Sequence, residues 1–221
     1  MAEPGTDLEP VAPVERVEHL PESLWRSLRA EPHRAPELVA LAAADHFAGP
    51  AERWAAQMRP HHDPAWIART ALKKHRRLSR LEGAALGLGG ITTTAADLAA
   101  LVWVQSRMVF FIAASYGFEP RHPMRPAELL FLRDVYPTPI AARVALDGVG
   151  KLMALQYMES KTTGREDSAS LIAELAVMAG RKAAKKTLLK LVPIVASPIN
   201  AVENGGETAE LGWKAIRYYG G

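Results

Sequence analysis

One acidic residue in an apolar segment is the feature of this sequence that comes closest to a chemical group in a protein interior. On a helix, Asp97 shares a face with Gln105 and Tyr116, and the other faces are apolar apart from Arg107. A carboxylate there must be paired, neutral or functional, because an isolated buried charge costs several kcal/mol. With Asn200 as a further partner, these residues form a candidate polar core, which either fixes helix register or lines an interior pocket.

Other motifs that could indicate catalysis or cofactor binding are incomplete. Adjacent side chains such as His61 and His62 rarely point at one metal, and Asp63 is needed as the N-cap before Pro64. The glycines of 87–90 lack both a preceding strand and a following Lys-Ser/Thr pair. The sequence has no Gly-x-Ser-x-Gly elbow and no His-Glu-x-x-His motif. We therefore predict no catalytic residue, no metal and no cofactor, and an enzyme is the minority interpretation.

Two basic clusters without acidic residues run into apolar stretches. The first comprises Arg69, Lys73, Lys74, Arg76, Arg77 and Arg80, and the second comprises Arg181, Lys182, Lys185, Lys186 and Lys190. On a helix over 64–81, the first cluster except Lys74 falls within about 100° of arc. The opposite side carries Ile67, Ala71, Leu78 and Leu81.

A basic face beside apolar surface suits an anionic membrane or an acidic protein partner. Nucleic acid is not predicted, because neither cluster has interleaved aromatic residues or a known binding motif. A solvated helix face without a partner is the alternative. The clusters are thus candidates for membrane or partner binding.

Composition describes a globular chain in a reducing compartment. The 221 residues are 48% hydrophobic and 23% charged, which favours one domain with a tail. There is no cysteine, and 1–4 shows no sign of a signal peptide, so we expect a cytoplasmic protein.

Helix start and stop signals predict an all-α, single-domain multi-helix bundle with two apolar helical hairpins rich in small residues. We expect a disordered acidic, Pro-rich tail over 1–21, short helices over 22–60 and the main helical domain over 61–221. The predicted helices are 22–30, 36–48, 50–59, 64–81, 94–117, 126–135, 138–160, 168–190 and one after 204–206 that ends near 219. The hairpins, 83–117 and 191–219, should pack together.

The segment 98–114 has only 17 residues and contains Gln105, Ser106 and Arg107, which is short of the ~20 apolar residues of a membrane span. Two alternatives remain open at this point. Residues 83–117 form either a buried core or a hairpin that dips into one leaflet.

The sequence resembles the EcsC protein family over roughly 64–219. The pattern consists of Gly89, Gly90, Asp97, Leu98, Leu101, Gln105, Met108, Ile112, Ala113, Tyr116 and Gly117, then Pro193, Asn200, Thr208, Gly212, Ala215 and Tyr218. This resemblance implies an all-helical bacterial protein without an established activity, of a family that is named from an operon shared with an ABC transporter and is often considered membrane-associated. It supplies no catalytic residues. A second proline, Pro198, departs from the family pattern and should kink the C-terminal helix.

These observations favour a non-enzymatic helical module that associates with an anionic membrane surface or a membrane-protein partner. We expect it in the cytoplasm, with peripheral attachment to the inner membrane as an option. One alternative is a ligand-binding protein or enzyme with an interior pocket at Asp97. Another is a soluble interaction protein that docks a partner through an apolar hairpin.

Overall fold

The computed structural model describes residues 20–87, 95–148, 178 and 199–221, with side chains at 20–79, 98–148, 178 and 205–221. Its helices are α1 (Glu22–Ala30), a 3-10 turn (Pro32–Arg34), α2 (Ala35–Met58), α3 (Pro64–Gly87), α4 (Ala95–Ser115), α5 (Met124–Leu132), α6 (139–148) and α7 (Ile199–Gly220). These described ranges contain no strand, which confirms the all-α class. Residues 1–19 of the predicted tail over 1–21, residues 149–160 of the predicted helix 138–160, the helix 168–190 apart from helical Met178, and the kink at Pro198 lie outside the described residues.

Local capping chemistry sets two helix ends as predicted. The Asp63 Oδ1 atom accepts a hydrogen bond from the Trp66 N–H at 2.9 Å, and α3 begins at Pro64. After α4, Gly117 adopts φ +87°. Its N–H donates to the Ala114 carbonyl at 3.0 Å and the Phe118 N–H donates to Ala113 at 3.1 Å, the pattern of a Schellman motif.

The predicted break of α2 at Gly49 and Pro50 is wrong. Helix α2 continues from Ala35 to Met58, with Pro50 inside it. Proline removes one backbone hydrogen bond from a helix, so other interactions must offset that loss. Phe47, Ala51 and Trp54 are buried around the proline, and this packing holds both halves in one helix.

Three other helices, α3, α5 and α7, have boundaries that differ from the predicted ones. Helix α3 passes Gly83 and ends at Gly87, and α7 passes 204–206 without a break. Helix α5 begins at Met124, two residues before Pro126, and ends at Leu132. Two residues after this end, Asp134 takes φ 58°. Glycine disfavours a helix by only about 1 kcal/mol, so packing can override its propensity.

Helix α4 lies at the centre of the bundle, and α2 runs parallel to it. The Phe47 ring packs on Trp103 at 4.6 Å between centroids, and Trp54 packs on Phe111 at 5.2 Å. Both α2 and α4 therefore advance in the same direction. The aromatic contacts belong to one hydrophobic core that extends from α1 to α7.

Helix α7 fits between α3 and α4, as predicted for the packing of the Asp97 helix on the C-terminal segment. A Cβ on Gly212 would meet the Leu72 side chain of α3 and would lie 3.1 Å from the Met108 sulfur of α4. Glycine thus allows a close approach of three helices. Of the predicted partner hairpin, 191–198 lies outside the described residues.

Helix α4 is the one helix within the described ranges that is long and apolar enough to cross a bilayer. Its segment Leu98–Ser115 has 18 residues, a mean hydropathy of 1.6, and is 89% buried inside the protein. Such burial is typical of a core helix. Packing against α2, α3, α5 and α7 therefore accounts for its apolar composition.

Candidate functional site

Helix α3 has the predicted amphipathic arrangement. Its inner side buries Ile67, Ala68, Ala71 and Leu72. Its outer side exposes Arg69, Lys73, Arg76 and Arg77, which we call the basic face. The side chain of Arg80 and the second cluster, Arg181, Lys182, Lys185, Lys186 and Lys190, lie outside the described residues.

The positive charge of the basic face is not neutralised by any side chain that the structure describes. Some surface cations elsewhere have acidic partners: Arg121 lies 3.5 Å from Glu52, and the half-buried Arg143 pairs with Asp147. No such ion pair involves Arg69, Lys73, Arg76 or Arg77 among the described residues. These side chains present a concentrated positive potential to the solvent.

An exposed tryptophan lies at the start of the basic face. Trp66 is 40% exposed, and His62 stacks on it with ring centroids 3.7 Å apart. Sequence reasoning missed Trp66, although its spacing of three residues to Arg69 and seven to Lys73 puts it on the same side of α3. His62 therefore serves as an aromatic neighbour of Trp66 and Asp63 as the helix cap.

Gln105 of the predicted polar core is buried and joins three segments. Its Nε2 donates to Thr208 Oγ1 of α7 at 3.0 Å, and its Oε1 accepts from Arg133 Nη1 at 2.8 Å. Arg133 follows α5 and also donates to the carbonyls of Val102 and Met178. The side chains of Asp97 and Asn200, both predicted partners, lie outside those described.

Arg133 is the centre of this network. Burial lowers the pKa of Arg133 from 12.5 to about 9, while nearby Glu207 acts in the opposite direction. The guanidinium therefore remains charged at neutral pH. The buried Arg133 guanidinium donates to Gln105 and Val102 of α4 and to Met178, and these bonds fix the position of the C-terminal end of α5 relative to both.

Tyr116 does not belong to the polar core around Gln105. Eleven residues separate the two along the chain, or about 16 Å at the rise of an α-helix. Tyr116 instead packs on Gly220 at the far end of α4. Burial raises the pKa of Tyr116, Arg69 lowers it and Asp63 raises it.

A second buried polar cluster, which sequence reasoning did not identify, fastens the end of α7 to α5. The Tyr219 hydroxyl donates to Glu128 Oε2 at 2.7 Å, and Arg125 pairs with the same carboxylate. The Arg125 guanidinium also lies over the rings of Phe118 and Tyr219, at 5.2 and 5.5 Å. Burial raises the pKa of Glu128 and raises that of Tyr219 well above its usual value.

His75 is a fully buried titratable residue at the contact of α3 with α4. Its Nδ1 lies 2.8 Å from the Ala71 carbonyl, so the neutral ring donates from Nδ1. Its ring lies 5.4 Å from that of Phe111. Burial lowers the pKa of His75 from 6.5 to about 3, the bond to Ala71 raises it, and Arg107 and Lys74 lower it further.

Replacing His75 with Gln should weaken the acid sensitivity of the fold. Because the folded pKa of about 3 lies below the unfolded value of 6.5, the stabilisation is present above pH 6.5 and is lost as the pH falls towards 3. Each pH unit in this window costs up to about 1.4 kcal/mol. Urea unfolding at pH 7 and pH 4 should therefore differ less in the variant, by about 3 kcal/mol.

His61→Gln is the matched control for this variant, because His61 is exposed to solvent. It should keep the pH profile of the unaltered protein. An identical pH profile for His75→Gln and the unaltered protein would show that His75 does not resist protonation in the folded state.

The described polar groups act as links between helices. Within the described ranges, no three His, Asp or Glu side chains are grouped as metal ligands. The amide of Gln105 is bound at both ends by Thr208 and Arg133. The feature directed outward is the basic face of α3.

Comparison with protein-family models assigns the sequence to a family. The model of the EcsC protein family matches residues 63–220. The chain belongs to the EcsC protein family. The EcsC match begins at the N-cap of α3 and ends at the last residue of α7, so it contains the basic face and both polar clusters. Searches of curated proteins and of solved structures gave no match.

Proposed function

We propose that this EcsC protein is a non-enzymatic helical module that binds an anionic membrane surface through the basic face of α3. The observation that carries the proposal is the exposure of Arg69, Lys73, Arg76 and Arg77 on one helix side, without an acidic partner among the described residues. Each Lys or Arg near an anionic bilayer contributes about 1 kcal/mol. Four such residues would together contribute about 4 kcal/mol, which corresponds to weak, reversible peripheral binding with a dissociation constant of about 1 mM.

Anionic lipid is preferred to an acidic protein because the basic face is a convex helix surface rather than a shaped groove. Lipid headgroups rearrange around such a surface, whereas a protein partner would need complementary shape. Anionic lipids are concentrated on the cytoplasmic leaflet, which agrees with the cytoplasmic location expected of a chain without cysteine. We place the protein at the inner face of the membrane.

An interior catalytic or ligand site at Asp97 has less support. Gln105 is the member of the predicted core with a described, buried side chain, and Thr208 and Arg133 engage both its polar ends. A pocket for a ligand would need polar groups free to receive it. The contacts of Gln105 instead match a structural role.

Flotation of the full-length protein with lipid vesicles tests the proposal. We expect it to float with vesicles of phosphatidylcholine and phosphatidylglycerol but not with phosphatidylcholine alone. Binding should disappear in ~1 M salt, where the Debye length is only about 3 Å. Equal flotation with both vesicles would contradict charge recognition. No flotation with either kind of vesicle would contradict membrane binding and would favour an acidic protein partner.

A further inference from the structure

We infer that Trp66 and Trp213 enter the interfacial layer of the bilayer and orient the protein, with α3 along the membrane surface and α7 beside it. This inference rests on the proposed function and adds to it a defined contact surface. Tryptophan favours the interface because its ring is apolar while its N–H can still bond to water or headgroups. The two residues would add apolar anchoring to the charge of the basic face.

Trp66 is exposed on the basic face and is ordered by a stacked neighbour. It precedes Arg69 by three residues, Lys73 by seven and Arg76 by ten, a spacing that keeps all four on one side of α3. The ring is 40% exposed, and the stacked His62 ring fixes one of its faces at an interplanar angle of 16°. Membrane binding would therefore cost Trp66 little further side-chain entropy.

Trp213 lies on α7, one residue after the point where this helix contacts α3. The adjacent Gly212 contacts Leu72, which lies between Arg69 and Arg76 on α3. One residue onward corresponds to a turn of about 100°, which carries Trp213 away from this contact towards solvent. Trp213 is 46% exposed.

The remaining tryptophans have packing partners inside the protein. Trp54 is 8% exposed and Trp103 1%, and both pack on phenylalanine rings of the core. Trp25 is half-buried, and the Arg29 guanidinium lies 5.2 Å from its ring centroid. Of the five tryptophans in the chain, the two exposed ones are thus Trp66, on the basic face, and Trp213, on the helix that packs against α3.

Fluorescence quenching by brominated phosphatidylcholine in anionic vesicles tests the orientation with the full-length chain. We expect lipid with bromine on the acyl chains to quench much of the emission of the unaltered protein. The double variant Trp66→Phe, Trp213→Phe should still float, because the basic face is intact, but should lose most of the quenching. The variant Trp25→Phe, which changes a tryptophan distant from α3, should be quenched like the unaltered protein.

The possible results separate the orientation from membrane binding itself. Flotation of the unaltered protein without quenching would overturn the orientation and leave the proposed function intact. Undiminished quenching in a folded double variant, checked by circular dichroism, would also overturn it. A failure of the unaltered protein to float would overturn both.

Discussion

Replacement of Arg133 with Ala should lower the free energy of unfolding by about 3–5 kcal/mol. The side chain is 7% exposed, and its guanidinium donates to Gln105 and to the carbonyls of Val102 and Met178. Truncation would leave these acceptors buried without their donor, and each such loss costs about 1–3 kcal/mol. Urea unfolding followed by circular dichroism measures the change.

Arg121→Ala is the control for Arg133→Ala. The Arg121 side chain is 63% exposed and lies 3.5 Å from Glu52, so the loss of this surface ion pair should cost at most about 1 kcal/mol. Similar destabilisation of the two variants would show that the network around Arg133 does not hold the helices together.

Helix ends governed by local chemistry were predictable from sequence. Asp63 and Pro64 start α3, and Gly117 closes α4, because capping and a positive φ depend on adjacent residues. The continuity of α2 across Pro50 and of α7 across 204–206 was not predictable in this way. Both depend on neighbouring helices whose positions the local pattern does not contain.

The polar core shows the same division between local and long-range information. Helical periodicity identified Gln105 as a buried polar residue, and the structure confirms its burial. Its partners Arg133 and Thr208 lie 28 and 103 residues away, so only the packing of α5 and α7 brings them to it. Periodicity also grouped Tyr116 with Gln105 because they share a helix face, although the eleven residues between them, about 16 Å along a helix, separate their side chains.

The basic face was predictable because exposure on a helix follows from angle alone. The spacing of Arg69, Lys73, Arg76 and Arg77 placed them opposite Ile67, and the structure confirms both sides. The place of Trp213 on a helix that packs against α3 became visible only through the contact of Gly212 with Leu72.

Charge reversal on α3 is the change for which we expect the largest loss of membrane binding. Lys73, Arg76 and Arg77 are exposed and have no acidic partner among the described residues, so their replacement by Glu should leave the fold intact. Loss of three contributions of about 1 kcal/mol alone weakens binding about 100-fold, and the introduced repulsion adds to it. The matched control replaces exposed Arg26, Arg29 and Arg53 by Glu, which changes the net charge equally on other surfaces.

Partitioning of these two folded variants onto anionic vesicles, beside the unaltered protein, is the most direct test of membrane binding through the basic face. We predict that the α3 variant loses at least about 100-fold in partitioning and that the control loses much less, because only the first changes the contact surface. Equal losses would show that net charge, rather than the basic face, governs binding. Undiminished binding of the α3 variant would contradict the assignment of α3 as the membrane-contacting surface.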